Sequence, residues 1–383
     1  MATYRNFLLA APLAACLFLV SCKSHPPERE LSQKEYTDFC MQLEKAVMTG
    51  DEQAFLSRIY VDDFADSIVK GTGESSIPHK EVSTAITSSM TAIAKELSAS
   101  VDDGGSYRFL HLIRDHNTVS ALFRVHSKEG INYHQMYLSV HDGKPWISDI
   151  YIYLSGENIS ATLKNLFMLS FHSGNTDEEA TGLIKKLGEL KDLTTSGQSD
   201  QALEIYNSFP DNWKHSKSVQ LYHVMICARI GGESYTQAID EYSSIFPDDP
   251  SLDLVTLDGL FLKGDYKGTL KAVNNLDKHV KDPLLDLHRG NIYSRMDSTQ
   301  KALDCLKRLV DQLPTETTDP YYSIALLDIG VAKNYEEACT YIRLMKKNFN
   351  ITGGVIEPKL KNYLGPLYAD FKRSAAYKSL GDI

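Results

Sequence analysis

The dipeptide Asp-Pro recurs three times in the second half of this chain, at Asp249-Pro250, Asp282-Pro283 and Asp319-Pro320, spaced 33 and 37 residues apart. An Asp side chain accepts hydrogen bonds from the free amides of a helix's first turn. A following Pro has no amide to satisfy and a φ that is already helical. Each pair therefore marks a helix start. A second series keeps the same period: SDQALEIY, YTQAIDEY, YKGTLKAV, TQKALDCL and YEEACTYI place Ala202, Ala238, Thr269, Ala302 and Ala338 at intervals of 36, 31, 33 and 36 residues. A small residue at a fixed point of each unit lets paired helices approach closely. Such periods predict consecutive antiparallel helix pairs, each burying its apolar face on its neighbours, over residues 159–383.

The clearest copy reads GNIYSRMDSTQKALDCLKRLVDQLP, with Gly290 and Tyr293 on a first helix, Ala302 opening a second and Pro314 ending the unit. In this spacing it resembles the tetratricopeptide repeat. That resemblance implies an all-α TPR-like superhelix of about five units. The first is TDEEATGLIKKLGELKDLTTSGQSDQALEIYNSF, with Thr176 and Glu179 as a capping box, and IEPKLKNYLGPLYADFKRSAAYKSL is a closing helix. It also implies that Tyr293 fills the angle between units, and that first helices line a concave surface suited to segments of other proteins. Gln220, His223, Asp258, Asn291 and Arg295 are placed to face it. The copies depart from the family pattern: none has Trp in its first helix, and Thr269 stands for Ala in the third. The Lys/Asn set by which some members clamp a peptide C-terminus is not found, which disfavours that ligand.

The first half has another rhythm. Ser32 and Glu35 form a capping box that starts a helix with Tyr36, Phe39, Leu43 and Val47 on one face and Gly50 as its stop. DEQAFLSRIYVDDFADSI reads as a short second helix, GTGESSIPH as a loop, and Val82, Ile86, Met90, Ile93 and Leu97 stripe a longer third. Four segments rich in β-branched and aromatic residues follow: YRFLHLIRD, TVSALFRVH, INYHQMYLSVH and PWISDIYIYLS. Turn signals separate them, at His116-Asn117, Lys128-Glu129-Gly130 and Asp142-Gly143, so successive strands pair antiparallel. Helices followed by such a meander make an α+β layer.

This order, with Trp146, Ile147 and Asp149 in DGKPWISDIYIYLSGE, resembles the NTF2-like (SnoaL-like) superfamily over residues 32–158. The resemblance implies a curled antiparallel sheet around a pocket, with His111, Tyr133, His134 and Asp149 as its candidate polar groups. Tyr133 and His134 are neighbours on a strand and point to opposite faces, so both cannot enter one cavity. The bland alternative makes the histidines ordinary strand residues and has Asp149 capping or pairing locally.

The chain opens MATYRNFLLAAPLAACLFLVSCKSHPPERE. Arg5 precedes an apolar run, Phe7 to Val20, that is too short to span a bilayer comfortably. Leu19-Val20-Ser21-Cys22 resembles the lipobox of bacterial lipoprotein signals. That likeness implies a signal peptide over 1–22, cleavage before Cys22, a diacylglycerol on its sulfur and an acylated amino terminus, enough chains for stable anchoring. Lys23 stands where an Asp would favour inner-membrane retention, so outer-membrane placement is favoured. Residues 23–31 form a polar tether stiffened by Pro26 and Pro27.

The formal net charge is -10, and the first 22 residues contribute only Arg5. An acidic chain without a basic cluster lacks the footprint of nucleic-acid binding. Cys40, Cys227, Cys305 and Cys339 lie in apolar helical patterns without a CxxC, which reads as buried free thiols. No GxxxxGK[ST], HExxH, GxSxG or metal-spaced Cys/His cluster occurs, so no cofactor or metal is expected. The sequence favours a non-enzymatic, membrane-anchored interaction scaffold of the bacterial cell envelope, with an envelope protein or peptide segment as partner. The alternative is small-molecule binding or proton-transfer catalysis in the NTF2-like pocket.

Overall fold

The computed structural model describes residues 29–72, 78–116, 118–128, 130–172, 177–247 and 249–380. The lipobox with Cys22, most of the tether and Thr176 lie outside the described residues. Helix α1 (Gln33–Met48) begins with the expected capping box, Ser32 and Glu35 bonding reciprocally, and ends just before Gly50 at φ +67°. The single second helix expected from the sequence is two, α2 (Glu52–Leu56) and α3 (Val61–Thr72). Ile59 leaves the helical path between them to bridge Ile147, with Tyr60 N donating to the Ile147 carbonyl at 2.8 Å. Sheet pairing wins over helix continuation there. Helix α4 (His79–Asp102) follows, with Val82, Ile86, Met90 and Leu97 buried.

The meander forms as predicted. Strands β1 (Ser106–Asp115), β2 (Thr118–Ser127), β3 (Gly130–His141) and β4 (Lys144–Ile152) pair antiparallel in chain order, and a two-residue β5 (Glu157–Asn158) extends the edge. Ala121, Phe123, Met136, Ile147 and Ile150 turn one face onto α1, α3, α4 and α5 (Ile159–His172), where Leu43, Phe64, Ile86 and Ile159 complete the core. Full burial of each Leu, Ile, Phe or Met among them contributes roughly 1.5–3 kcal/mol.

From there the chain runs through helices. Five pairs succeed one another: α6 (Asp177–Thr195) with α7 (Ser199–Asn207), then, after the short α8 (Asp211–Lys214), α9 (Lys217–Ile230) with α10 (Gly232–Ile245). The others are α11 (Pro250–Leu262) with α12 (Tyr266–Val280), α13 (Leu285–Arg295) with α14 (Thr299–Gln312), and α15 (Asp319–Leu327) with α16 (Tyr335–Phe349). Ala202, Ala238, Thr269, Ala302 and Ala338 are all buried near the starts of the second helices, as their period required. The cores follow one another along the chain. One joins Leu190 to Ile226, the next Leu221 to Val255, a third holds residues between Leu254 and Leu309, and the last joins Leu303 to Ala376. The helices therefore stack serially and do not bundle around one centre. A Cβ on Gly290 would stand 2.6 Å from Leu306 Cγ, and one on Gly259 2.5 Å from Ala228 Cβ, so close approach requires glycine at both.

Several expectations need correction. Tyr293 is half-buried on α13, with the Lys301 ammonium 5.5 Å from its ring centroid. Only Asp249 caps its helix as the Asp-Pro reading required; Asp282 caps a turn that precedes α13, and Asp319 is already the first residue of α15. The closing helix is three, α17 (Gly353–Leu364), α18 (Pro366–Arg373) and α19 (Ala375–Lys378), broken by Gly365-Pro366 and Ser374. A π-helical turn, Asp328–Ala332, extends α15. The cysteines at 40, 227, 305 and 339 are buried and free.

Candidate functional site

The sheet face turned away from α1–α5 is largely covered by the helix pairs. Leu122, Ile131, Tyr133 and Tyr153 share a core with Leu254, Val280, Leu284, Leu285 and Leu309 of the helix pairs. Polar contacts at this junction gather at the N-terminal ends of first helices. Tyr151 donates to Asp249 at 3.1 Å, and Lys217 pairs with Asp249 at 2.8 Å. Tyr133 Oη donates to Asp282 Oδ2 at 2.9 Å, while Arg124 Nη1 reaches Asp282 Oδ1 at 2.6 Å. Arg124 also pairs with Glu316, which accepts from Ser106 Oγ at 2.6 Å and from Arg108 Nε at 3.0 Å. Arg124 and Asp282 are 1% and 0% exposed, so neither charge has water as an alternative partner. Burial pushes the Glu316 carboxyl up, but Arg124, the Ser106 hydroxyl and Arg108 outweigh it and hold the group below its ordinary range.

The four predicted pocket residues are not brought together. Tyr133 faces the helix pairs and its hydroxyl is committed to Asp282. His111 is half-buried on the same face, near Lys281. Asp149 is buried at the start of α5, where it accepts from Asn158 Nδ2 at 2.8 Å and Ser160 N at 3.2 Å; the local-cap alternative is the observed one. Of the four, His134 lines a cavity.

That cavity, about 410 Å³, lies where α4, the ends of β2 and β3, α6 and α9 meet. Its walls are largely apolar: Ile93, Leu97, Val125, Ile131, Ile152 and Met225. His134 is 6% exposed and its Nδ1 has no hydrogen-bond partner; Ser100 Oγ, also in the lining, is equally unpartnered. Burial lowers the His134 pKa to about 4, which keeps the imidazole neutral at neutral pH. A general base works with a partner that orients it; the described neighbour of this ring is the edge-on Tyr107, 6.0 Å between centroids. The arrangement suits holding a polar atom more than moving a proton. Among the described residues no cluster of three or more His, Cys, Asp or Glu is placed to hold a metal.

The predicted concave-surface residues divide likewise. Gln220 is fully buried and bonds Glu241 at 2.9 Å, because α9 is sandwiched between its neighbours, so it cannot meet a partner. His223 is half-buried and stacks on Tyr206 at 4.0 Å between ring centroids. Asp258 lies on α11, its side chain outside the described residues. Asn291 and Arg295 are placed one turn apart on α13, both reaching the surface. Sequence reasoning missed Arg124, Glu316 and Ser100. Arg124 sits on the polar side of an alternating strand, which sequence assigns to solvent, and nothing near Glu316 signals burial.

No family model matches the chain, and no curated protein does. Among solved structures, a mutant of MamA is similar at 13% identity over 44% of this chain and 99% of its own, with a TM-score of 0.34. A likeness that low carries no argument. What stands is a five-stranded antiparallel sheet joined to a mostly helical remainder.

Proposed function

We propose that the chain is a lipid-tethered, non-enzymatic scaffold of the bacterial cell envelope, favoured at the outer membrane, whose helix pairs form a TPR-like array that engages another protein. The observation that carries this reading is the serial order of the helical cores. Pairs stacked along a line present a row of first helices, and such rows take extended protein segments. Asn291 and Arg295 supply polar contacts on that row. Anchoring through Cys22 would raise the partner's effective concentration at the membrane. The sheet layer, proposed to be NTF2-like, buttresses the array from one edge through Arg124, Asp282 and Glu316.

The test is affinity purification of the native chain from crosslinked envelopes, beside Arg295→Glu and Cys22→Ser. A discrete co-purifying envelope protein, lost with Arg295→Glu, supports the reading, and fatty-acid labelling lost with Cys22→Ser supports the tether. An empty purification, or labelling that survives Cys22→Ser, contradicts the corresponding half.

A further inference from the structure

The cavity beside His134 is not confined to the sheet and the helices that cover it. Glu96, Leu97 and Ser100 of α4 and His134 of β3 make one side, but Lys191 and Thr195 of α6 and Tyr222 and Met225 of α9 close the other. The site exists only because the first helix pairs stand against the sheet layer. Its volume falls within the range of small-molecule sites, roughly 300–1,000 Å³.

We propose that this junction cavity binds a neutral, mostly apolar small molecule that carries one oxygen function, a hydroxyl or carbonyl, held by His134 with Ser100 or Asn132. Three observations converge. More of the lining surface is apolar than polar, so the bulk of the occupant is apolar. Two buried polar atoms in the lining, His134 Nδ1 and Ser100 Oγ, have no protein partner, and buried polar groups normally have one. The charges at the lining cancel: Glu96 and Asp103 against Lys128 and Lys191, with Lys128 paired to Asp103 at 2.6 Å. No net field selects an ion. Asn132 uses its side-chain oxygen on the Tyr133 and Leu154 amides, which leaves its amide donors for a guest. The guest oxygen therefore meets His134 Nδ1, the nitrogen without a partner: a hydroxyl donates to it, or a carbonyl accepts from its N–H tautomer.

The experiment is methyl NMR of the full chain labelled at its methionine methyls, with the Met225 signal assigned through Met225→Leu. The chain is titrated separately with octan-1-ol, octane and octanoate. The proposal expects a saturable shift of the Met225 methyl with octan-1-ol, and weaker binding of octanoate, whose charge meets a lining without net positive charge. His134→Phe keeps a planar ring in place. It should weaken octan-1-ol about fivefold, the loss of one neutral hydrogen bond, and leave octane within about twofold. A Met225 signal that does not saturate with octan-1-ol, or equal affinity for octan-1-ol in the wild type and His134→Phe, overturns it. Tighter binding of octanoate than of octan-1-ol also overturns it. The other methionine methyls in the same spectra report whether the variant is folded.

Discussion

Replacing Arg124 by methionine tests the junction where it is most exacting. The guanidinium is almost wholly buried and neutralises two carboxylates, Asp282 at 2.6 Å and Glu316. Methionine keeps much of the stem's volume and removes the charge. Glu316 retains Arg108 and Ser106, whereas Asp282 is left buried with only the Tyr133 hydroxyl and the Leu284 amide. Breaking a buried pair by removing one partner costs about 3–5 kcal/mol, because the surviving charge is uncompensated. Asp282→Asn alone should cost less, and the double variant should recover part of the loss, with a coupling of about 1–3 kcal/mol. Urea unfolding can be followed at Trp146 in β4 and Trp213 in α8, one reporter on each side of the junction, using Trp→Phe variants to isolate each. In the native background the two transitions should coincide. In Arg124→Met both should fall, or the sheet and helix signals should part. A loss below about 1 kcal/mol, with no coupling to Asp282, would refute the reasoning and make this pair no better than a surface bridge.

Three other perturbations act on single groups. The His134 pKa is depressed to about 4, so the neutral ring's stabilising contribution is complete above pH 6.5 and declines as pH falls toward 4. The maximum loss is about 3 kcal/mol, and His134→Phe should flatten that limb of the urea-stability profile. Asp328 is fully buried, neither carboxylate oxygen has a partner, and burial followed by Glu337 raises its pKa to about 6. Stability linked to it is therefore present below pH 3.8 and lost as pH rises through 6. Asp328→Asn should be the more stable protein at about pH 8 in urea, by no more than about 3 kcal/mol. Gly290→Val forces α13 off α14 at Leu306 and should lower stability by about 2 kcal/mol or more, read by thermal unfolding.

Local signals proved readable wherever the physics is local. The capping box at Ser32, the alternation of Val119, Ala121, Phe123 and Val125, and the small residues at 202, 238, 302 and 338 all say directly what they do. Gly290 was legible too, because one close contact explains it. The junction was not. Tyr133, Arg124 and Tyr151 lie on the sheet face that an α+β reading leaves to solvent, and their partners are 149, 158 and 98 residues away. No periodicity encodes such a pairing. For the same reason the four proposed pocket residues scattered: Asp149 and Tyr133 met closer uses, while His134 gained a cavity closed on one side by α6 and α9. The turn at 57–60 escaped notice because a single parallel bridge to Ile147 decided it.

The central claim is that the row of first helices, fixed on the sheet, is the face offered to another protein. A photo-crosslinking amino acid placed at position 291 in the living cell tests it most directly, with position 267 on the exposed side of α12 as the control. The account predicts one discrete adduct from position 291, abolished by Arg295→Glu, and none from position 267. No adduct from position 291, or the same adduct from both, contradicts it.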